Sequence, residues 1–405
     1  MEANTAQQQP QAGEDDAVKQ FVLDAFEFLC SVKLSCILML LLFLLTLLGT
    51  FEQVDMGLFQ VQKKYFESFF VVAQIGPVPM GLPGGYLVMI LFTVNLVLGG
   101  VVRITKSKQK VGVIVVHTGV LLLMAAGYLK LHHAEEGHLT LYEGERSDEF
   151  VAHYESELVI YDAAQSRDVT EYVVPEELFG TFTGQAQVRF EHPALPFSLA
   201  ISHFRRACQP EPSQNPNAEV PPVEGFTLAD LPPEQKNIAV PGAVVTATPK
   251  DGGPTRSAIL WTAAPYPWLL QAGGKTWAID LGMRRYRMPF AIHLDTFTHE
   301  YHPGTRMAKL YRSDVTKVEQ GVEQAVKISM NNPLRHRGYT LFQSSWGPQN
   351  ARPGERLFSR FSVVKNPSDH WPLYACIVIS IGLVIVYGQK LVQYVRSQAA
   401  LRSAS

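Results

Sequence analysis

The residues best suited to chemistry in this chain are its histidines, and one of them stands where water is scarce. His117 interrupts the apolar stretch "VGVIVVHTGVLLLMAAGYL", residues 111–129. An imidazole there loses its water contacts, and an unpartnered polar group in hydrocarbon costs several kcal/mol. Ionisable side chains inside membrane spans are therefore candidates for function. Three roles suit His117: axial ligand to a haem, proton relay, or hydrogen bond between helices. The plainest structural reading is a bond to Asn95, the polar residue of the preceding apolar run. A six-coordinate b-type haem needs two axial ligands. His132 and His133 lie about 22 Å farther along the helix axis at 1.5 Å per residue, too far to share one iron with His117. No other histidine falls within an apolar run. If His117 binds haem, the second ligand comes from another chain or a second copy.

The remaining candidates are weaker. His132, His133 and His138 cluster just past the same apolar run, and His370 precedes Trp371 at the mouth of another; both patterns suit residues of a membrane interface. His293 and His299, if the segment between them is extended, share a face at a separation of about 20 Å, too long for one zinc ion. Cys208 is a single cysteine in the polar bulk. It reads as a small buried residue, with a transient mixed disulfide as the alternative. The other cysteines, Cys30, Cys36 and Cys376, sit in or beside apolar runs, and no C-x-x-C occurs. That excludes a disulfide framework, a zinc ribbon and a covalent haem site within the chain. No Walker A loop, G-x-S-x-G, H-E-x-x-H or dinucleotide fingerprint is present. A net charge of −2 over 405 residues gives no general affinity for nucleic acid.

The elements that position these residues begin with four apolar runs long enough to span a bilayer, which takes about 20 helical residues. They cover 33–51, 84–102, 111–129 and 371–388. Asn95 and the glycines of the second suit close packing against other helices. Basic residues set the orientation. Arg103, Lys106, Lys108 and Lys110 between the second and third runs, and Lys390, Arg396 and Arg402 after the fourth, belong in the cytoplasm; Lys63 and Lys64 are a mild counter-signal. Both termini are then inside and residues 130–370 outside, in a bacterial periplasm or its equivalent.

The acidic N-terminus lacks the features of a signal peptide. Residues 1–32 read as a cytosolic disordered tail leading into the membrane, and 389–405 as a second cytosolic tail. Aromatic and charged residues at helical spacing over 57–73 predict an interfacial helix on the outer leaflet. Short alternating runs between turn residues, among them "SELVIYDA", "FSLAISHF", "GAVVTATPK" and "FAIHLDTFTHEY", predict an antiparallel all-β domain of sandwich or barrel type. The fold class is a membrane protein of four transmembrane α-helices, with this large extracytoplasmic domain inserted between spans three and four. The proline-rich stretch 209–238 reads as an excursion outside the core.

At "YRSDVTKVEQGVEQAVKISMNNPLRHRGYTLFQSSWGPQ", residues 311–349, the chain resembles the ResB family of cytochrome c biogenesis proteins. The matching residues are Asn332, Pro333 and Leu334, the pair Gly338–Tyr339, and Phe342, Gln343, Ser344 and Ser345, with Tyr311 and Ser313 upstream. "LLGTFEQ", 47–53, and "VHTGVLLLMAAGYL", 116–129, match in the expected order. The excursion and the acidic tail depart from the family pattern, and the additional spans of fused forms are absent before Ser405. The resemblance implies a System II assembly. In it, a ResB-like subunit and a tryptophan-rich CcsA-like partner export haem b across the membrane and support its attachment to apocytochrome c. It implies that His117 is an axial haem ligand and assigns no role to the C-terminal motif. It also implies a non-catalytic or co-catalytic subunit of a holocytochrome c synthase complex, since no nucleophile is apparent. The rival readings are a membrane-anchored scaffold or sensor with a structural His117, and a b-type haem electron carrier.

Overall fold

The computed structural model describes residues 12–75, 78–165, 169–180, 187–215, 218–232, 235, 238–305, 308–352 and 354–403. They form two compact units: a helical one, up to His132 and again from Ser368 onward, and a β-rich one, His133–Pro367.

The helical unit holds α1 (Ala12–Leu29), α2 (Val32–Met56), α3 (Leu58–Val61), α4 (Gly85–Val97), α5 (Val111–His133, ending at the unit boundary) and α6 (Trp371–Ser403). Among the described residues, four segments are long and apolar enough to cross a membrane: Val32–Met56, Gly85–Val102, Lys108–His133 and Trp371–Arg402. The tail expected to be disordered is helical from Ala12 onward, because its apolar residues recur at helical spacing. Ser31 then breaks the chain in an extended conformation and caps α2, its hydroxyl accepting from Leu34 N–H at 3.1 Å.

The interfacial helix expected over 57–73 stops short. After α3 the chain makes one π-turn, Gln62–Phe66, and then forms a hairpin of β1 (Phe70–Ile75) and β2 (Val78–Pro83). The aromatic and β-branched run "FFVV" favours strand over helix. The Ser68 carbonyl takes the Tyr86 N–H at 3.1 Å, which fixes the turn into α4.

Glycines let the helices touch. A Cβ at Gly112 would lie 2.9 Å from the Gly382 carbonyl oxygen, and one at Gly119 would lie 3.1 Å from that of Ala375. The Gly112 and Gly119 face of α5 is thus filled by α6.

The β-rich unit contains β3 (Glu135–Tyr142), β4 (Arg146–Asp162), β5 (Glu171–Pro175), β6 (Val188–Glu191), β7 (Phe197–Arg205), β8 (Cys208–Pro212), β9 (Phe226–Asp230), β10 (Gly242–Pro249) and β11 (Arg256–Trp261). It continues with β12 (Trp268–Ala272), β13 (Lys275–Tyr301), β14 (Ala308–Glu319), β15 (Val322–Ser329), β16 (Leu334–His336), β17 (Tyr339–Gly347) and β18 (Phe358–Lys365). All the described strand pairings within these sheets are antiparallel. The four-stranded sheet β11-β10-β7-β6 shares one core with β4, β5, β12 and the first half of β13. The larger sheet, β15-β14-β13-β4-β3-β18-β17-β16, wraps a second core of its own that includes Phe150, Ile292, Val315, Leu341 and Phe361. The unit is a sandwich joined to a barrel-like half, and β4 and β13 run through both.

The proline-rich excursion is not a bare loop. Its β8 and β9 pair as a two-stranded ribbon, which tolerates Pro210 and Pro212 because an isolated ribbon leaves one edge of each strand unpaired. Val220 and Leu228 are buried with Cys208 and Val244 in a small core, and Arg205 clamps Glu219 at 2.9 Å and Asp230 at 2.7 Å.

Between β16 and β17 the chain reverses in two residues, Arg337 (φ 48°) and Gly338 (φ 81°). This left-handed pair is the twist-matched hairpin turn. A β-branched side chain at the second position is strained, so Gly338→Val is expected to lower stability by about 1–2 kcal/mol. Urea unfolding of the full chain in detergent, followed by tryptophan fluorescence, measures this.

Candidate functional site

His117 is held by the backbone of a neighbouring helix. After Val97 the helix α4 widens into a π-turn, Leu98–Val102. The Gly100 carbonyl oxygen lies 2.9 Å from His117 Nδ1. A carbonyl can only accept, so Nδ1 carries the proton and donates. In the neutral ring the lone pair is then on Nε2, the tautomer that a metal-ligating imidazole needs. No other hydrogen bond of the ring is made among the described residues.

The contact requires glycine. A Cβ at Gly100 would stand 2.5 Å from Nδ1, and one at Gly99 would stand 2.8 Å from the Cys30 carbonyl oxygen. Asn95 is not the partner of His117. It is buried, donates to the carbonyls of Leu29 at 2.6 Å and Ser31 at 3.0 Å, and accepts from Ser35 Oγ at 2.5 Å. Asn95 thus ties the α1–α2 junction to α4 one turn before the π-turn. On α5, His117 points about 140–160° away from the Gly112 and Gly119 face at 100° per residue. α6 therefore leaves the imidazole side uncovered by its own packing. The sequence offered a signal in the pair Gly99–Gly100 within an apolar run, which marks close approach of backbone and side chain. As to haem, the donor set in hand is one imidazole with a free Nε2, which fits one of two axial positions.

The family-motif residues occupy turns and core of the β-rich unit. Asn332 pairs with Ser329 across a tight turn and donates from Nδ2 to the Lys327 carbonyl. Pro333 follows, half-buried. Tyr339 is buried in the barrel-like core with Phe150 and Phe290 against its ring, and Lys365 Nζ lies 5.2 Å from the ring centre. Gln343 is a hub: its Oε1 accepts from Ser313 Oγ at 2.6 Å, and its Nε2 donates to Ser359 Oγ at 2.9 Å. Ser313 and Ser359 are wholly buried and joined at 2.8 Å. This network crosses the barrel-like half from β14 to β17 and β18. Ser359 was not singled out in the sequence, since a lone serine in a strand carries no pattern.

Other histidines are redistributed. His132 stacks on Tyr86 and packs against Tyr128. His138 pairs instead with His153 on the adjacent strand, ring centres 5.5 Å apart. His293 and His299 do not share a face, because a bulge between Leu294 and Thr296 shifts the alternation by one residue. His293 meets Asp295 at 3.6 Å, and His299 stacks on Trp346 at 4.3 Å. No group of three or more metal-ligating side chains occurs among the described residues. Cys208 is fully buried, and burial pushes its thiol up to about 12. Buried with Val220, Leu228 and Val244, it serves as a packing residue.

Four membrane-competent helices, an imidazole fixed inside one of them and a two-core β-rich unit define a polytopic membrane protein. Residues 271–357, from β12 to just short of β18, match the ResB-like family. The chain is 37% identical over 75 residues to the cytochrome c biogenesis protein CcsB of Synechococcus sp. (strain CC9902). That match covers 18% of this chain and 17% of the relative. The chain is thus similar to the cytochrome c biogenesis proteins of the ResB and CcsB type. The family match holds Asn332, Pro333, Gly338, Tyr339 and Gln343; His117 lies outside it.

Two outcomes follow from the titratable groups. Desolvation holds His138 and His153 below their ordinary 6.5, with Arg360 acting in the same direction and Glu136 opposing at His153. The unfolded chain then takes protons first as pH falls. Their contribution is full above pH 6.5 and is lost as pH drops toward the depressed folded values. Urea midpoints of the full chain should decline over that window, and less so in a His138→Gln, His153→Gln variant. Cys208 should resist maleimide in the folded protein and react only after denaturation, read by mass spectrometry of its peptide.

Proposed function

We propose that this chain is a haem-handling subunit in the assembly of c-type cytochromes. It lies in a bacterial cytoplasmic membrane with both termini inside. Its β-rich unit is inserted between the third and fourth spans and projects outside. The observation that carries this reading is the Nδ1–H bond from His117 to Gly100, which leaves Nε2 free within a membrane span. The similarity to the ResB-like family supports it independently.

In this reading His117 supplies one axial donor to a haem b carried as cargo, at the inner-leaflet side of the span. The Nε2 lone pair of His117 would be the donor held toward the haem iron, which would supply the Lewis-acid centre when bound. The second donor would come from a tryptophan-rich, CcsA-like partner, because no other histidine of the sequence lies within an apolar run. Gly100 orients the ring, Gly99 lets the π-turn settle on the α1–α2 junction, and Asn95 pins that junction. The β-rich unit positions apocytochrome c and braces the partner. Thioether formation belongs to the complex, in which this chain acts as a co-catalytic subunit.

The test is the visible spectrum of the full chain co-purified with that partner. His117→Ala is expected to abolish the haem band and the output of c-type cytochrome, with partial recovery on added imidazole. Gly100→Val should weaken haem binding roughly 10–100-fold by displacing the ring, as loss of an orienting carbonyl does at metal sites. Full haem content in His117→Ala, with normal complex assembly, overturns the proposal.

A further inference from the structure

The helix α1 carries a surface that the helical unit does not cover. At 100° per residue, Val18, Phe21, Val22, Phe26, Phe28 and Leu29 fall within an arc of about 160°. Lys19, Gln20, Asp24 and Glu27 occupy the opposite side, with Leu23 the one apolar residue among them. Among the described side chains of this arc, Leu29, at the end of the helix, is the one that packs against the helical core. Phe21 is 73% exposed, Val18 62% and Phe28 61%.

The placement of this face follows from its connection to the first span. Leu29 is separated from Val32, where α2 begins, by Cys30 and Ser31. Ser31 is extended, with φ −78° and ψ 140°, so the chain re-aims there and does not run on as one rod. The junction cannot drift from the bundle. Asn95 holds the carbonyls of Leu29 and Ser31, and Gly99 packs on the carbonyl of Cys30. The last turn of α1 is therefore fixed at the level where the first span leaves the bilayer. Residues 18–29 extend about 18 Å from it.

We infer that α1 lies in the plane of the membrane surface, with its phenylalanine face sunk among the acyl chains on the side of the N-terminus. A wide apolar arc with a compact polar side is what an interfacial helix requires. The polar side bears Lys19 against Asp24 and Glu27, so anionic headgroups do not recruit the helix. Apolar contact alone seats it, and the seating is insensitive to salt. This assignment depends only on α2 crossing the bilayer and stands apart from any role in haem handling.

The test is photolabelling of the full chain in vesicles of phosphatidylethanolamine and phosphatidylglycerol that contain a diazirine-bearing phosphatidylcholine. Adducts are mapped by mass spectrometry, with Leu40 and Phe43, exposed on the first span, as internal standards. Adducts at Phe21, Val22, Phe26 and Phe28 are expected to exceed those at Lys19, Gln20, Asp24 and Glu27 roughly tenfold, at low and at high salt. Labelled standards with an unlabelled α1 overturn the inference and assign its apolar face to a protein occupant, whether a second copy or a partner. Equal labelling around the helix also overturns it.

Discussion

A carbonyl released from helical pairing inside a membrane must find a donor, because the surrounding hydrocarbon offers none. The π-turn at Leu98–Val102 presents the Gly100 carbonyl, and the imidazole of His117 supplies the N–H at 2.9 Å. Each group resolves the other's difficulty. The bond also selects the tautomer, since only the ring form protonated on Nδ1 can make it. Much of the helical unit is arranged around this contact. Gly99 and Gly100 carry no side chains, so the Cys30 carbonyl and the imidazole reach the backbone of the turn. Asn95 locks the preceding junction, and α6 packs on the far side of α5 against Gly112 and Gly119.

The β-rich unit follows a different logic, in which the motif residues are structural. Gly338 makes a turn that few other residues tolerate, Tyr339 fills the core, and Gln343 satisfies two buried serines on other strands. An unpaired hydroxyl in such a core costs about 1–3 kcal/mol. A motif of this kind marks a fold whose polar network must close completely.

The sequence made some of this legible and left the rest dark for physical reasons. Apolar runs identified the four membrane-competent helices, because spanning length is a strong constraint. Alternation identified about half of the strands of the β-rich unit. It failed at His293 and His299, where one bulge reverses which side chains face inward. The stretch 57–73 has helical spacing but also "FFVV", and pairing with β2 decided for strand from Phe70 onward. His117 stood out as an anomaly, but its partner is a backbone atom, and backbone atoms leave no signature in residue type. Asn95 was the natural candidate and proved to be bound elsewhere. The excursion 209–238 looked structureless by composition, yet Val220, Leu228 and Cys208 gather enough apolar surface to fold a ribbon onto the sandwich.

The strand β13 runs unbroken from Lys275 to Tyr301, past two shifts of register with β4. Its first half belongs to one core and its second half to the other. A strand with dual membership cannot melt in one core while staying ordered in the other without losing its own ladder partway. The sandwich and the barrel-like half are therefore a single cooperative element, and damage to either is felt throughout. Any partner that grips one half holds the other as well, so force or strain applied at one end of the β-rich unit is delivered to the opposite end with little slack.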